Sequence, residues 1–85
     1  MAYRIRLAAS AKKALDKLPK DVQRRIAAAI DGLSQIPRPP GTIKLTGAVD
    51  LYRIRVGSYR IVYRVQDDRL LVLVVKIGHR REVYR

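Results

Sequence analysis

The chain has 85 residues, 48% of them hydrophobic, with nineteen lysines and arginines against seven acidic residues and a net charge of +12. That length supports one domain with a single modest core, and the charge excess implies a polyanionic partner, a nucleic acid or an acidic protein. Having no cysteine and one histidine, the chain offers no disulfide framework and no thiolate metal site and argues against zinc, and no apolar stretch is long enough to span a membrane.

Ala2-Tyr-Arg-Ile-Arg-Leu7 alternates with period two, placing Tyr3, Ile5 and Leu7 on one side and Arg4 and Arg6 on the other. That is the pattern of a short, half-buried strand. The start of the chain lacks the apolar core of a signal peptide, so a cytoplasmic protein is expected. Ala8, Ala11, Leu15 and Leu18 then follow helical spacing, with Ser10 the expected N-cap and Lys12, Lys13, Asp16 and Lys17 on the wet side. Pro19 stops this helix and suits the first turn of the next, where Asp21 meets the positive end of the helix dipole. Val22, Ile26, Ala29, Ile30 and Leu33 form the second apolar stripe, and Arg24 and Arg25 lie off it as solvated surface.

Ile36-Pro-Arg-Pro-Pro-Gly41 ends the second helix, because no continuous helix tolerates that density of proline. The connection up to Asp50 is long for a compact domain. Ile43, Leu45 and Val49 are expected to pin it to the core, leaving Lys44 to point outward.

Leu51-Tyr-Arg-Ile-Arg-Val-Gly-Ser-Tyr-Arg-Ile-Val-Tyr-Arg64 reads as a hairpin around Gly57-Ser58. Glycine at the first central position suits a type II′ turn, which fixes the register. Val56 faces Tyr59, Arg55 faces Arg60, Ile54 faces Ile61 and Tyr52 faces Tyr63. Arg53, Arg55, Arg60 and Arg64 then project from one side, and the tyrosines and aliphatic residues of alternate positions from the other. Like charges directly across a hairpin cost several tenths of a kcal/mol, so an anion is the natural missing partner. Guanidinium forks hold phosphate through two hydrogen bonds and keep their charge, which makes phosphate the preferred anion over a merely solvated basic face.

Gln66-Asp-Asp-Arg69 makes the next turn, with Asp67 and Asp68 as turn residues. Leu70 to Ile77 is a near-continuous apolar run, expected as a central strand with the first strand as one neighbour. Gly78 breaks it, and His79-Arg-Arg-Glu-Val-Tyr-Arg85 forms a tail. Residues 1–50 carry five lysines and five arginines, whereas residues 51–85 carry eight arginines and Lys76 alone, so contacts that demand geometry belong to the second half. The element order is β-α-α-β-β-β. It describes an α+β fold with two antiparallel helices packed on one face of a four-stranded, mostly antiparallel sheet, and arginines on the other.

With these segments in place the chain resembles the RelE/ParE superfamily of bacterial and archaeal type II toxins, closest to the RelE branch. The resemblance rests on the helical pair around Leu18-Pro19, on Lys44-Leu45-Thr46-Gly47, on the Leu51-to-Tyr63 hairpin and on Gly78-His-Arg-Arg-Glu-Val-Tyr84, and covers nearly the whole chain as one toxin domain. It implies a ribosome-dependent endoribonuclease that cleaves mRNA in the ribosomal A site, with no metal or other cofactor. The 2′-hydroxyl attacks the adjacent phosphate, leaving a 2′,3′-cyclic phosphate and a 5′-hydroxyl. The implied partners are a cognate antitoxin, expected to be acidic, the ribosome with its message, and operator DNA only through the antitoxin. Two other readings stand beside it: a ParE-like inhibitor of DNA gyrase that cuts no RNA, and an inert basic nucleic-acid-binding module.

Carried over by motif, the catalytic positions are Arg53, Arg55, Arg60, Arg80 and Tyr84. Arg55 and Arg60 suit charge stabilisation on the phosphorane, Arg53 a flanking phosphate, and Arg80 the departing oxygen. Tyr84 stacks on a base, exchanges a proton, or simply plugs the core edge. Lys44, Arg64, His79 and Arg81 are candidate RNA contacts. His79 has the intrinsic pKa for acid–base work, though a lone histidine after a strand is also an ordinary surface residue. Glu82 is a base or a local partner of Arg81 or Arg85. Family members often carry lysine where this chain has Arg53 and Arg55. Arginine keeps its charge at physiological pH, so the acceptor of the 2′-hydroxyl proton is left unassigned.

Overall fold

The computed structural model describes residues 2–47 and 49–79. In chain order these form β1 (Arg4–Leu7), α1 (Ala9–Asp16), α2 (Lys20–Gly32), β2 (Ile43–Lys44), β3 (Leu51–Val56), β4 (Tyr59–Gln66), a 3₁₀ turn over Asp67–Arg69, and β5 (Leu71–His79). The strands make one five-stranded sheet in the order β1-β5-β4-β3-β2. β1 runs parallel to β5 and every other pair is antiparallel. The α+β architecture and the central place of β5 agree with the sequence reading. The four strands expected become five because Ile43–Lys44 pairs with Arg53 and Tyr52 at the edge. Two residues are too few to show any periodicity.

Three local expectations are corrected. Ala8, in an extended conformation, caps α1 without a side-chain hydrogen bond, and Ser10 lies inside the helix. Helix α1 closes at Asp16 with Lys17 as its C-cap, and Pro19 is the N-cap of α2, outside its first turn. Asp21 does sit in that first turn. Gly78 continues β5 and does not break it, since β4 reaches as far as Tyr59 and supplies a partner for both Gly78 and His79.

The core lies between the helices and one side of the sheet. Ile26, Ile30 and Leu33 of α2 and Ala11 of α1 pack with Ile54, Ile61, Tyr63, Val65, Val72, Val74 and Ile77, all buried. Alternation alone would not keep Val74 and Ile77 on the same side, because they are three residues apart. A register shift resolves this. Val62 pairs with Lys76 and Tyr63 with Val74, which leaves Val75 as the extra residue of a β-bulge. The bulge returns Ile77 to the core and turns Lys76 to the opposite side, with the arginines.

Tyr63 is wholly buried, and its hydroxyl donates to the Pro37 carbonyl oxygen at 2.8 Å. Burial pushes that phenol above its ordinary pKa. The Thr42 hydroxyl donates to Pro39 O at 2.6 Å. These bonds hold the proline-rich segment against the sheet. By contrast Ile43 is 50% and Val49 76% exposed, so neither anchors the connection as expected; only Leu45 is half-buried.

Candidate nucleic-acid interface

The hairpin adopts the register that its loop length dictates: Arg55 pairs with Arg60, Arg53 with Val62, Ile54 with Ile61, Tyr52 with Tyr63 and Val56 with Tyr59. Gly57 has φ +60°, while Ser58 keeps a negative φ, as a type II′ turn requires. Ile54, Ile61 and Tyr63 face the helices, so Arg53, Arg55, Arg60 and Arg64 project from the side away from them. The helices do not cover the arginines.

Their exposures differ. Arg55 and Arg64 are exposed and Arg53 is half-buried, whereas Arg60 is only 3% exposed. Gly78 lies directly across β4 from Arg60, so no side chain from that neighbour competes for the space a guanidinium needs. A cation removed from water interacts more strongly with an approaching anion than an exposed one, because the local dielectric is lower. Arg64 is tied back at the hairpin's open end, where its Nη1 donates to Val49 O at 3.1 Å.

The other expected site residues fall elsewhere or outside the described part of the chain. Lys44 is exposed and shares its register with Tyr52, so it leaves the sheet on the side opposite Arg53. His79 pairs with Tyr59 and meets its ring edge-on at 5.6 Å, again on the side opposite Arg60. Arg80, Arg81 and Tyr84, with Glu82 and Arg85, lie outside the described residues.

A groove of about 630 Å³ follows the β3 edge between Ala28, Ala29 and Gly32 of α2 and the Pro39–Gly41 turn, and reaches Arg53, Arg55 and Arg60. Its outer wall is fixed by a cluster the sequence did not reveal. Arg38 makes a bidentate ion pair with Asp67, Nη2 to Oδ2 at 2.7 Å and Nη1 to Oδ1 at 3.3 Å. The Tyr3 hydroxyl donates to the same carboxylate at 2.6 Å. Arg38 also lies 5.0 Å above the centre of the Tyr52 ring. The hydrogen bond from Arg38, then that from Tyr3, holds the Asp67 carboxyl below its ordinary pKa, and the same bonds raise Arg38 and Tyr3. Arg38 sits between two prolines, which marks a rigid extended cation, but its partner is 29 residues away and only the fold reveals it. Arg25 was likewise taken for plain helix surface. It lies over the hairpin turn, with Nη2 2.9 Å from where a Cβ on Gly57 would be.

Known proteins bear on this arrangement directly. The model of the ParE toxin of type II toxin-antitoxin system, parDE, matches residues 5–84. The mRNA interferase toxin RelE of Escherichia coli is 34% identical over 88 residues, covering 99% of this chain and 92% of that protein. The toxin RelG of Mycobacterium tuberculosis is 29% identical over 86 residues, covering 100% of this chain and 99% of its own. The toxin-like fold is also that of the archaeal RelE-RelB complex from Pyrococcus horikoshii, with a TM-score of 0.84 and 36% identity over 94% of this chain and 97% of that one. A family match across nearly the full length, joined to a relative above 30% identity and to a matching sheet and helix pair, places this chain in the RelE/ParE superfamily of type II toxins, on its RelE side.

Proposed function

We propose that this protein arrests translation as a ribosome-dependent endoribonuclease, cutting mRNA in the ribosomal A site without a metal. The observation that carries the reading is the direct pairing of Arg55 with Arg60 on the side of the sheet turned away from the helices. In the reaction the 2′-oxygen forms a bond to phosphorus as the bond from phosphorus to the 5′-oxygen breaks. The products are a 2′,3′-cyclic phosphate and a 5′-hydroxyl. Charge building on the phosphorane oxygens is met by the Arg55 and Arg60 guanidinium groups, and Arg53 holds a flanking phosphate. Arg80 and Tyr84 are assigned by resemblance to the leaving oxygen and to base stacking. Arginines do not accept the 2′-hydroxyl proton. Ribosomal positioning therefore supplies the in-line geometry, which is worth several kcal/mol in oriented intramolecular reactions.

The partner that restrains the toxin is proposed to be an acidic antitoxin encoded beside it, and both act in the cytoplasm. Relatives crystallised as RelE-RelB complexes support such a partner, and a net charge of +12 gives it an electrostatic basis. The matching family model is named for ParE toxins, which favours inhibition of DNA gyrase as the second reading. One pair of assays separates the two. Purified toxin is added to translating ribosomes, with cuts mapped by primer extension, and to gyrase, with supercoiling followed on a gel. Cuts in register with codons and unaffected gyrase are expected; intact message with inhibited gyrase would establish the ParE-like action instead.

A further inference from the structure

The sheet register carries the basic surface well beyond the hairpin. Arg6 pairs with Leu73, and Leu73 on its other side with Arg64. One row across β1, β5 and β4 therefore reads cation, leucine, cation, all on the side of the sheet that carries Arg55 and Arg60. Arg4, next to Leu71, extends the row's outer end, and Lys76, returned to this side by the bulge at Val75, stands between this row and Arg60. Arg4, Arg6, Arg64 and Lys76 are all exposed, and Leu71 and Leu73 are half-buried. No strand position on this side, among the described residues, is acidic. The ion pairs of the described residues, Lys12 with Asp16 and Arg38 with Asp67, involve none of these cations.

We infer that Arg6 and Arg64, flanking Leu73, form a second phosphate subsite, so that the RNA of the proposed reaction crosses the sheet from Arg60 towards β1 and is held at two places. This rests on the RNA-binding reading and deepens it. Arg6 and Arg64 stand about 10 Å apart at the backbone, two strand spacings. Their flexible side chains reach successive phosphates, with the leucine as an apolar floor for the intervening base. Arg64 lies four residues along β4 from Arg60, or about 13 Å. At a stacked rise of ~3.4 Å per nucleotide, that span corresponds to about four nucleotides. The alternative role of Arg4 and Arg6, charges that keep an edge strand from pairing with another chain, predicts no contribution to RNA binding.

The double variant Arg4→Gln/Arg6→Gln tests the subsite, since both side chains are exposed and the fold is checked by circular dichroism. Binding of fluorescein-labelled single-stranded RNA is measured as a function of salt, for oligonucleotides of about three and about ten nucleotides. On the longer RNA the slope of log Kobs against log salt should become shallower by about 1.4, about 0.7 for each lost phosphate contact. On the shorter RNA, which spans only the Arg55–Arg60 end, the slopes of wild type and variant should coincide. Equal slopes on the longer RNA, with wild type still binding, would overturn the second subsite and leave the nuclease reading intact. A wild-type protein that bound neither RNA would overturn both.

Discussion

Gly57 and Arg60 show how differently two residues of one hairpin can be read. Glycine at position 57 follows from turn chemistry, because the φ of +60° found there is strained for any side chain. What the sequence does not disclose is Arg25, whose guanidinium occupies the space a Cβ would enter. Gly57→Ala should therefore destabilise the protein by about 1–3 kcal/mol, combining backbone strain with displacement of Arg25. Urea unfolding followed by circular dichroism measures this, and an unchanged midpoint would mean that the turn is looser than described. The side to which Arg60 points was likewise legible from alternation. Its burial was not, because exposure depends on what packs around a strand and on Gly78 across from it.

Among the elements, the hairpin register was legible to the residue, since loop length and period two leave one solution. The bulge at Val75 was not: an apolar run of Leu and Val conceals a one-residue insertion, because every side chain in it suits either face. The proline-rich segment was expected to be anchored by aliphatic residues and is anchored instead by Arg38, Thr42 and Tyr63. That anchoring has a pH signature. The Asp67 carboxyl has its pKa depressed in the folded state, chiefly by Arg38, so its contribution to stability is complete above the ordinary carboxylate pKa and fades as pH falls through the lower, folded value. Asp67→Asn should remove that part of the acid-side loss while lowering stability at neutral pH. Chemical denaturation from acid to neutral pH is the measurement, and parallel curves for variant and wild type would show that the Arg38–Asp67 pair contributes nothing. The same substitution should speed amide exchange at Thr42, whose N–H donates to Pro39 O within the anchored segment.

For the whole molecule, composition already pointed to a polyanion, and the fold separates the two faces of the sheet into a core side and a cationic side. Residues missed from sequence, Lys76 above all, joined the cationic side only through three-dimensional register. The excess of +12 should make the complex with the product of the neighbouring gene sensitive to salt. Its dissociation constant, measured by calorimetry, is expected to rise steeply between low and physiological salt, and a salt-independent constant would assign antitoxin recognition to apolar contacts. The central claim, that the paired arginines stabilise the phosphorane, is tested most directly by single-turnover cleavage of a ribosome-bound message at saturating toxin, comparing wild type with Arg55→Ala/Arg60→Ala. The account predicts a loss of at least about 10²-fold in the rate at saturation, as expected when charge stabilisation at the reacting phosphate is removed. A variant that cut at the wild-type rate once bound would show that these side chains only bring toxin and ribosome together, and would contradict it.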